Sequence, residues 1–369
     1  MSKKIILIAF LILNLEAKDI NLGVVLPLSG STAAYGQSAL DGIEIANKMQ
    51  GTLQNGDKVK LVVLDTKGDK IESSSATTRL VTQDKVLGII GEMITANTLQ
   101  VMRVAEENKI PLIAPAATGD KLLENKQYSS RVCFMDSFQG SSLAKYVSEK
   151  FGFKKAVVVV DQSTDYSLGL AKAFEKEFKA KGGKILKVLR INSGDKDFRA
   201  IITQIKILNP DFIYLPLYYS EAALFARQSK IIGLNTPMGS ADGVADATFI
   251  KLAKEASNNY IFTDSFDSYN PVTKLGKDFI LAYEKEKKDK DVPAFSAMGA
   301  DAYFVMLHAM NACKDQLTSE CINDKIHQTK NYEGVSGVIS IDKNGNAIRS
   351  IIVKEIKNQK PIYKDIINP

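Results

Sequence analysis

The sequence predicts an α/β fold of two lobes, each built on a parallel central sheet. Short, continuously apolar segments alternate with amphipathic segments over most of the chain, which is typical of parallel strands covered by helices on both faces. The chain has 369 residues, more than one hydrophobic core usually supports. Two long helices predicted late in the chain must return to pack on the first lobe. We therefore expect several crossovers between the lobes, forming a hinge around a cleft.

Strands and helices alternate regularly in the first part of the chain. Continuous aliphatic runs predict buried strands at 20–28, 59–65, 86–91 and 110–115. Apolar residues at helical spacing predict helices at 38–49, at 74–81 and from Thr95 onward. Another helix is expected to start at Thr118 and Gly119. Tyr35 is placed in the loop at 29–36, before the first helix.

The same alternation continues from Arg131 and then changes. Helices are predicted at 141–150, 168–181, 198–208 and 221–232, and strands at 155–160, 184–191, 211–217 and 260–263. Beyond Ser265 the pattern predicts helices at 271–287, 298–313 and 320–329, with Phe295 between the first two. Apolar and polar residues then alternate over 334–363 around a tight turn at Asp342, which predicts a β-hairpin.

Two hydroxyl residues, Thr95 and Thr118, stand where adjacent predicted strands end. The carboxyl ends of parallel strands face the ligand crevice of an open α/β sheet. Helix N-termini at this edge offer unpaired N–H groups and a partial positive charge, which suit an anion such as a carboxylate. The alternative interpretation is that both threonines are ordinary helix N-caps. Their pairing at neighbouring strands favours a binding site.

The first 17 residues resemble a secretory signal peptide. Lys3 and Lys4 precede the apolar run 5–13, and Ala17 is the small residue at the predicted cleavage site. The alternative, a buried first strand, is disfavoured because the two lysines lie so close to the run. No cysteine stands at the cleavage site, so no lipid anchor is indicated. We expect an exported protein.

Export makes a disulfide plausible between Cys313 and Cys321, which are eight positions apart, while Cys133 in an apolar strand is expected to be a buried free thiol. The net charge of +6 comes from dispersed lysines. These lysines are not interleaved with aromatic residues, so nucleic-acid binding is not expected.

Four segments together resemble the periplasmic leucine/isoleucine/valine-binding proteins, the type I solute-binding proteins of ABC importers. They are GVVLPLSGSTAAYG at 23–36, PAAT at 115–118, DYSLG at 165–169 and GSADG at 239–243, and they occur in matching order across the mature chain. The resemblance implies two Rossmann-like lobes joined by three crossover segments, closing on a ligand in the cleft. It implies lobe 1 from residues 18–136 and 266–346, and lobe 2 from 137–265 and 347–369.

The resemblance also implies a role for particular residues. The ligand α-carboxylate would lie on Thr95 and Thr118 with backbone groups from Ile94 to Ala116, and the ammonium on Asp242 with help from Ala116 and Tyr218. The family usually has Ser in place of Thr95 and Glu in place of Asp242, and some relatives carry Cys in place of Ile94. The wall around the ligand side chain would be formed by four aromatic residues, Tyr35, Tyr166, Tyr218 and Phe295. Such a wall, with no second acid or Arg, favours an aliphatic side chain.

Several of these residues have a structural alternative. Asp242 lies in a Gly-Ser-Ala-Asp-Gly segment that could be a turn without a ligand. Tyr218 could cap the core after a buried strand, and Phe295 could be a core residue between two helices. Tyr35 has little core to join in a polar loop, which favours a ligand role.

Other classes of function are weighed against this one. An enzyme is disfavoured because the chain has no Gly-rich phosphate loop after the first strand, no HExxH, no CxxC and no Gly-x-Ser-x-Gly elbow, and because His308 and His327 lie at no metal-ligand spacing. No catalytic residue, cofactor or metal is therefore expected. A sensor domain would share the cleft, but no anchor or signalling domain is recognised. We expect a monomeric, periplasmic protein that delivers an amino acid to an ABC transporter permease, with amides and polar or aromatic amino acids as alternative ligands.

Overall fold

The computed structural model describes residues 17–314 and 316–369, and its first sheet has five parallel strands in the order β2-β1-β3-β4-β5. These are β1 (Asp19–Leu26), β2 (Lys58–Asp65), β3 (Gly88–Gly91), β4 (Leu112–Ala114) and β5 (Ser129–Arg131). Helices α1 (Ala33–Met49), α2 (Lys70–Thr82) and α3 (Thr95–Glu107) connect them. Val24 and Val25 of β1 belong to different hydrophobic clusters, because both faces of the sheet are covered. Apart from Ala17, the predicted signal peptide lies outside the described residues.

The second sheet has seven strands, of which five are parallel. The parallel strands are β6 (Lys155–Asp161), β7 (Lys184–Ile191), β8 (Phe212–Tyr214), β9 (Met238–Ser240) and β10 (Ile261–Asp264). Their helices are α4 (Asp136–Lys150), α5 (Asp165–Ala180), α6 (Arg199–Leu208), α7 (Tyr219–Ile232) and α8 (Ala247–Ala253). Two late strands extend the sheet in antiparallel fashion, β14 (Ile351–Lys357) and β15 (Lys360–Ile367). The α/β fold with parallel central sheets is confirmed, with this antiparallel hairpin added.

The segment between β10 and β14 leaves the second sheet and packs on the first. It contains the helices α9 (Lys274–Lys287), α10 (Ala294–Ala312) and α11 (Ser319–His327) and the short strands β11 (Tyr332–Glu333), β12 (Val338–Ile341) and β13 (Ala347–Ile348). Helix α10 packs closely against α1, and a side chain at Gly42 or Gly299 would overlap the backbone of the other helix. The predicted turn at Asp342 joins β12 to β13.

The chain passes between the two sheets at three places, after β5, after β10 and before β14. Arg349 lies in the last of these segments and is buried. Its guanidinium donates to the carbonyl oxygen of Val132 at 3.0 Å and to that of Ser265 at 2.9 Å, one in each of the other two segments. One side chain therefore ties all three connections together.

Three predictions that concern the candidate ligand-binding residues are wrong. Helix α1 begins at Ala33, since Ala33 and Ala34 are good helix formers, so Tyr35 is helical rather than in a loop. Helix α10 begins at Ala294, which places Phe295 in its first turn. No helix starts at Thr118: residues 120–125 form turns, and Arg131 binds the carbonyl oxygens of Ala117 and Gly119 that a helix would have used.

The structure joins Cys313 to Cys321 in a disulfide, with the Cα atoms 5.9 Å apart. The bond links the end of α10 to α11, as the spacing indicated. Cys133 is free and buried, which was also expected. None of the helices within residues 17–314 and 316–369 combines the length and the hydropathy of a membrane span.

Candidate functional site

A cavity of about 20 Å³ lies between the two sheets, and every residue predicted to bind a ligand lines it. The residues from the elements of the first sheet and α10 are Tyr35, Ile94, Thr95, Ala116, Thr118 and Phe295, and those from the second are Tyr166, Tyr218 and Asp242. Met93 and Gly243 complete the lining and were not predicted. Except for Phe295, these residues all follow the carboxyl ends of parallel strands, which is why residues far apart in sequence meet here.

Thr95 and Thr118 lie close together in the cavity lining, and neither is a helix N-cap. The N-cap of α3 is Ile94, and Thr95 is the first helical residue. The Thr95 hydroxyl instead accepts a hydrogen bond from the backbone N–H of Gly119, the residue after Thr118, at 3.3 Å. The N-cap interpretation of these two hydroxyl groups is therefore wrong. Both side chains are buried and line the cavity.

Two buried ionisable residues form hydrogen bonds to the backbone beside Thr95 and Thr118, and neither was predicted. Arg131 donates from Nη1 to the carbonyl oxygens of Ala117 at 3.2 Å and Gly119 at 2.9 Å, on either side of Thr118. Glu92 accepts hydrogen bonds from the Thr66 hydroxyl at 2.8 Å and from the backbone N–H of Ile94 at 2.6 Å. Burial raises the pKa of Glu92 to about 7. An arginine within an apolar strand was the available sequence signal for the first of them.

Asp242 lies at the cavity in the 3-10 helix Asp242–Val244, and its carboxylate is held by two donors. Gln139 Nε2 and the Tyr166 hydroxyl both donate to Oδ1, at 3.1 and 3.0 Å. No described residue donates to Oδ2. Burial raises the pKa of Asp242 to about 6, although the hydrogen bonds from Gln139 and Tyr166 oppose the shift. The turn interpretation describes the backbone here correctly but does not account for the buried carboxylate.

Aromatic rings form most of the remaining wall. Tyr166 and Tyr218 are stacked with centroids 4.9 Å apart, and Tyr35 meets Tyr218 edge to face at 5.9 Å. Phe295 contacts the Tyr35 ring edge to face at 4.9 Å. Phe295 is thus both a core residue and part of the cavity wall. These rings make the middle of the cavity apolar and rigid.

Tyrosine hydroxyl groups also join the two halves of the molecule directly. The Tyr35 hydroxyl donates to the Gly243 carbonyl oxygen at 2.5 Å and accepts from the Tyr219 N–H at 3.2 Å. The Tyr219 hydroxyl donates to the Ser31 carbonyl oxygen at 2.6 Å. Tyr219 was not assigned a role from the sequence, because only the assembled structure brings it to Tyr35.

Residues 19–361 match the family model described as periplasmic binding protein. The chain belongs to the periplasmic binding protein family. The resemblance stated from the four sequence segments is confirmed at this level.

Relatives of this periplasmic binding protein support the assignment to the branched-chain group. The Leu/Ile/Val-binding protein BraC3 of Rhizobium johnstonii is 30% identical over 91% of this chain and 86% of its own length. The leucine binding protein LivK of Thermotoga maritima has a TM-score of 0.91 and 35% identity, covering 95% of this chain and 99% of the other. LivJ of Streptococcus pneumoniae, solved in complex with isoleucine, has a TM-score of 0.90 and 32% identity, covering 95% and 100%.

The cavity of this binding protein has three chemically distinct parts. Thr95 and Thr118, from the elements of the first sheet, contribute hydroxyl groups, Asp242 from the second sheet contributes a carboxylate, and aromatic rings form much of the remaining lining. Such a cavity suits a small molecule with an anionic group, a cationic group and an apolar portion. Among residues 17–314 and 316–369, no cluster of His, Cys, Asp and Glu has a geometry that could hold a metal ion.

Proposed function

We propose that this binding protein captures leucine, isoleucine or valine in the cleft and delivers it to the permease of an ABC transporter. The arrangement that carries the proposal is one cavity between the two sheets that is lined by the hydroxyl groups of Thr95 and Thr118 and by the carboxylate of Asp242. A free amino acid has a carboxylate and an ammonium group on the same carbon atom, so its carboxylate can bind the hydroxyl groups while its ammonium group binds Asp242.

The walls support a branched aliphatic side chain. Tyr35, Tyr218 and Phe295 offer apolar surface, and Met93 adds a flexible apolar side chain that adapts to differences in branching. A second charged group on the ligand would have no partner against these walls, and burying it unpaired would be costly.

Ligand entry requires the lobes to separate, because the lining residues are buried. We assign lobe 1 to residues 18–136 and 266–346 and lobe 2 to 137–265 and 347–369, with the three connecting segments as the hinge. Ligand bound to Thr95 and Thr118 recruits Tyr166, Tyr218 and Asp242, which shifts the equilibrium toward the closed form. The closed form then docks on the permease.

The cellular role follows from the same assignment. The family acts outside the cytoplasm, and we place the mature protein in the periplasm after cleavage near Ala17. It acts as a monomer, binds no nucleic acid and catalyses no reaction.

A calorimetric titration against the twenty amino acids tests the proposal. The mature protein is unfolded and refolded first, so that carried-over ligand is removed. Saturable binding of leucine, isoleucine or valine at micromolar or tighter affinity, on the order of −8 kcal/mol, supports it. If none of the twenty amino acids binds, the amino-acid assignment is rejected, and amides and other small solutes become the next ligands to test.

The Asp242→Ala variant tests the ammonium contact separately. Leaving the ligand ammonium buried without its carboxylate is expected to weaken binding by about 2–5 kcal/mol. Asp197→Ala, which removes an exposed acid of the second lobe, is the matched control. A change of less than about threefold for Asp242→Ala rejects this role.

A further inference from the structure

Gln139 of α4 is completely buried and lies outside the cavity lining, yet its side chain makes two hydrogen bonds to Asp242. Its Nε2 donates to Asp242 Oδ1 at 3.1 Å, and its Oε1 accepts from the Asp242 backbone N–H at 3.1 Å. The same Oε1 accepts from the Thr263 hydroxyl at 2.8 Å. The carboxamide thus spans the backbone and the carboxylate of a single residue.

The chemistry of the partners determines which way this amide points. The backbone N–H of Asp242 can only donate, so the Gln139 atom facing it must be the carbonyl oxygen. The NH₂ group therefore faces the carboxylate, which accepts its hydrogen bond. The orientation is settled by the hydrogen-bond network, since the two ends of a carboxamide are not otherwise distinguishable.

We propose that Gln139 is a positioning residue for the ligand ammonium, holding the Asp242 carboxylate so that Oδ2 remains free to bind it. This inference rests on the proposed function. The N–H and Oδ1 of Asp242 are both engaged by Gln139, which restricts the orientation of the carboxylate. The Tyr166 hydroxyl holds Oδ1 from α5, so the carboxylate is fixed from two helices.

A neutral amide suits this task better than a cation would. Lys or Arg in place of Gln139 would pair with Asp242 and cancel the charge that the ammonium needs. The amide orients the carboxylate and leaves it a net negative charge. The buried Gln139 amide therefore orients the carboxylate of Asp242 toward the cavity.

A double-mutant cycle for leucine binding tests this role. Gln139→Met removes the amide but keeps an unbranched buried side chain, and we expect about a tenfold or greater rise in the Kd, typical of a lost hydrogen bond to a charged group. In the Asp242→Asn background the same substitution is expected to change the Kd by less than about threefold, because Gln139 acts through Asp242. Gln228→Met is the matched control: Gln228 lies in the same lobe and its amide also makes two hydrogen bonds, but it does not approach the cavity.

The role of Gln139 and the proposed function are contradicted by different results. If the parent protein binds no amino acid, the proposed function fails. If the parent binds leucine and the Kd of Gln139→Met is within about twofold of the parent value, Gln139 has no positioning role. The same conclusion follows if Gln139→Met raises the Kd as much in the Asp242→Asn background as it does in the parent.

Two further measurements cover the remaining cases. If Asp242→Asn binds too weakly to measure, the crystal structure of Gln139→Met decides, and an unmoved Asp242 carboxylate overturns the proposal. If Gln139→Met does not fold, Thr263→Val removes the hydroxyl that holds the amide. This variant is expected to weaken leucine binding more than Gln228→Met does, and an equal effect overturns the proposal.

Discussion

The Tyr35 hydroxyl donates to the Gly243 carbonyl oxygen at 2.5 Å and thereby joins α1 of the first lobe to the 3-10 helix that carries Asp242. The Gly243 N–H in turn donates to the Tyr166 hydroxyl at 2.8 Å, and that hydroxyl donates to Asp242. A continuous chain of hydrogen bonds therefore runs from the first lobe to the carboxylate in the second. Because the Tyr35 bond joins the two lobes, it can form only when they are together.

Tyr35→Phe is expected to weaken leucine binding by about 1–3 kcal/mol, because the Gly243 carbonyl oxygen and the Tyr219 N–H lose their partner in the closed form. Calorimetry measures the affinity, and small-angle scattering measures how compact the liganded protein is. Tyr269→Phe, at an exposed tyrosine, is the control. Unchanged affinity and compactness in Tyr35→Phe would show that this bond does not favour closure.

Leucine binding is expected to weaken as the pH falls from 7 to 5. Burial raises the pKa of Asp242 to about 6, so the carboxylate is ionised above this pH and protonated below it. A bound ammonium favours the ionised form, so the Kd should rise by up to about tenfold per pH unit on the acid side. Calorimetry at several pH values measures this.

Two controls separate the titration of Asp242 from unfolding. Asp242→Asn should bind weakly with little change over this range. The raised pKa of Asp242 should also stabilise the free protein as the pH falls from 6 toward 4, because the folded state holds this proton more tightly than the unfolded state. A constant Kd between pH 7 and 5 in the parent would contradict the assignment.

Arg349→Met is expected to lower the free energy of unfolding by about 3–5 kcal/mol. The substitution leaves the carbonyl oxygens of Val132 and Ser265 without this donor. It also removes a positive charge near the buried carboxyl group of Asp301, whose pKa is raised by burial while the charge of Arg349 opposes the shift. Urea unfolding measures the change. Arg199→Met, which breaks an exposed ion pair, should cost less than about 1 kcal/mol. Equal stability of the two variants would refute the role of Arg349 in tying the three connections together.

Cys313→Ser is expected to destabilise the oxidised protein by about 2–3 kcal/mol and to leave leucine affinity unchanged. The disulfide closes a short loop far from the cavity lining, so its loss acts on the unfolded chain rather than on the site. Thermal unfolding with and without reductant measures the effect. If the parent is equally stable in both conditions, the bond does not stabilise the protein.

The sequence predicted most residues of the cavity lining but not the buried residues that form hydrogen bonds to them. Thr95, Thr118 and Asp242 could be found because they follow strand ends or lie in a recognisable segment. Gln139 could not be found, and Arg131 could be noticed but not assigned a role, because the sequence around a polar residue does not identify its partner. Gln139 meets Asp242 across 103 positions of sequence, and Arg349 meets Val132 across 217.

By itself, the sequence determined the alternation of strands and helices, and with it the two parallel sheets and the edge at which a site forms. Those features depend on the period of apolar residues, which is local information. Only the tertiary structure decided where α1 begins, that no helix follows Thr118, and which buried groups orient Asp242. Those outcomes depend on hydrogen bonds and packing between elements distant in sequence, which form only when the chain is folded.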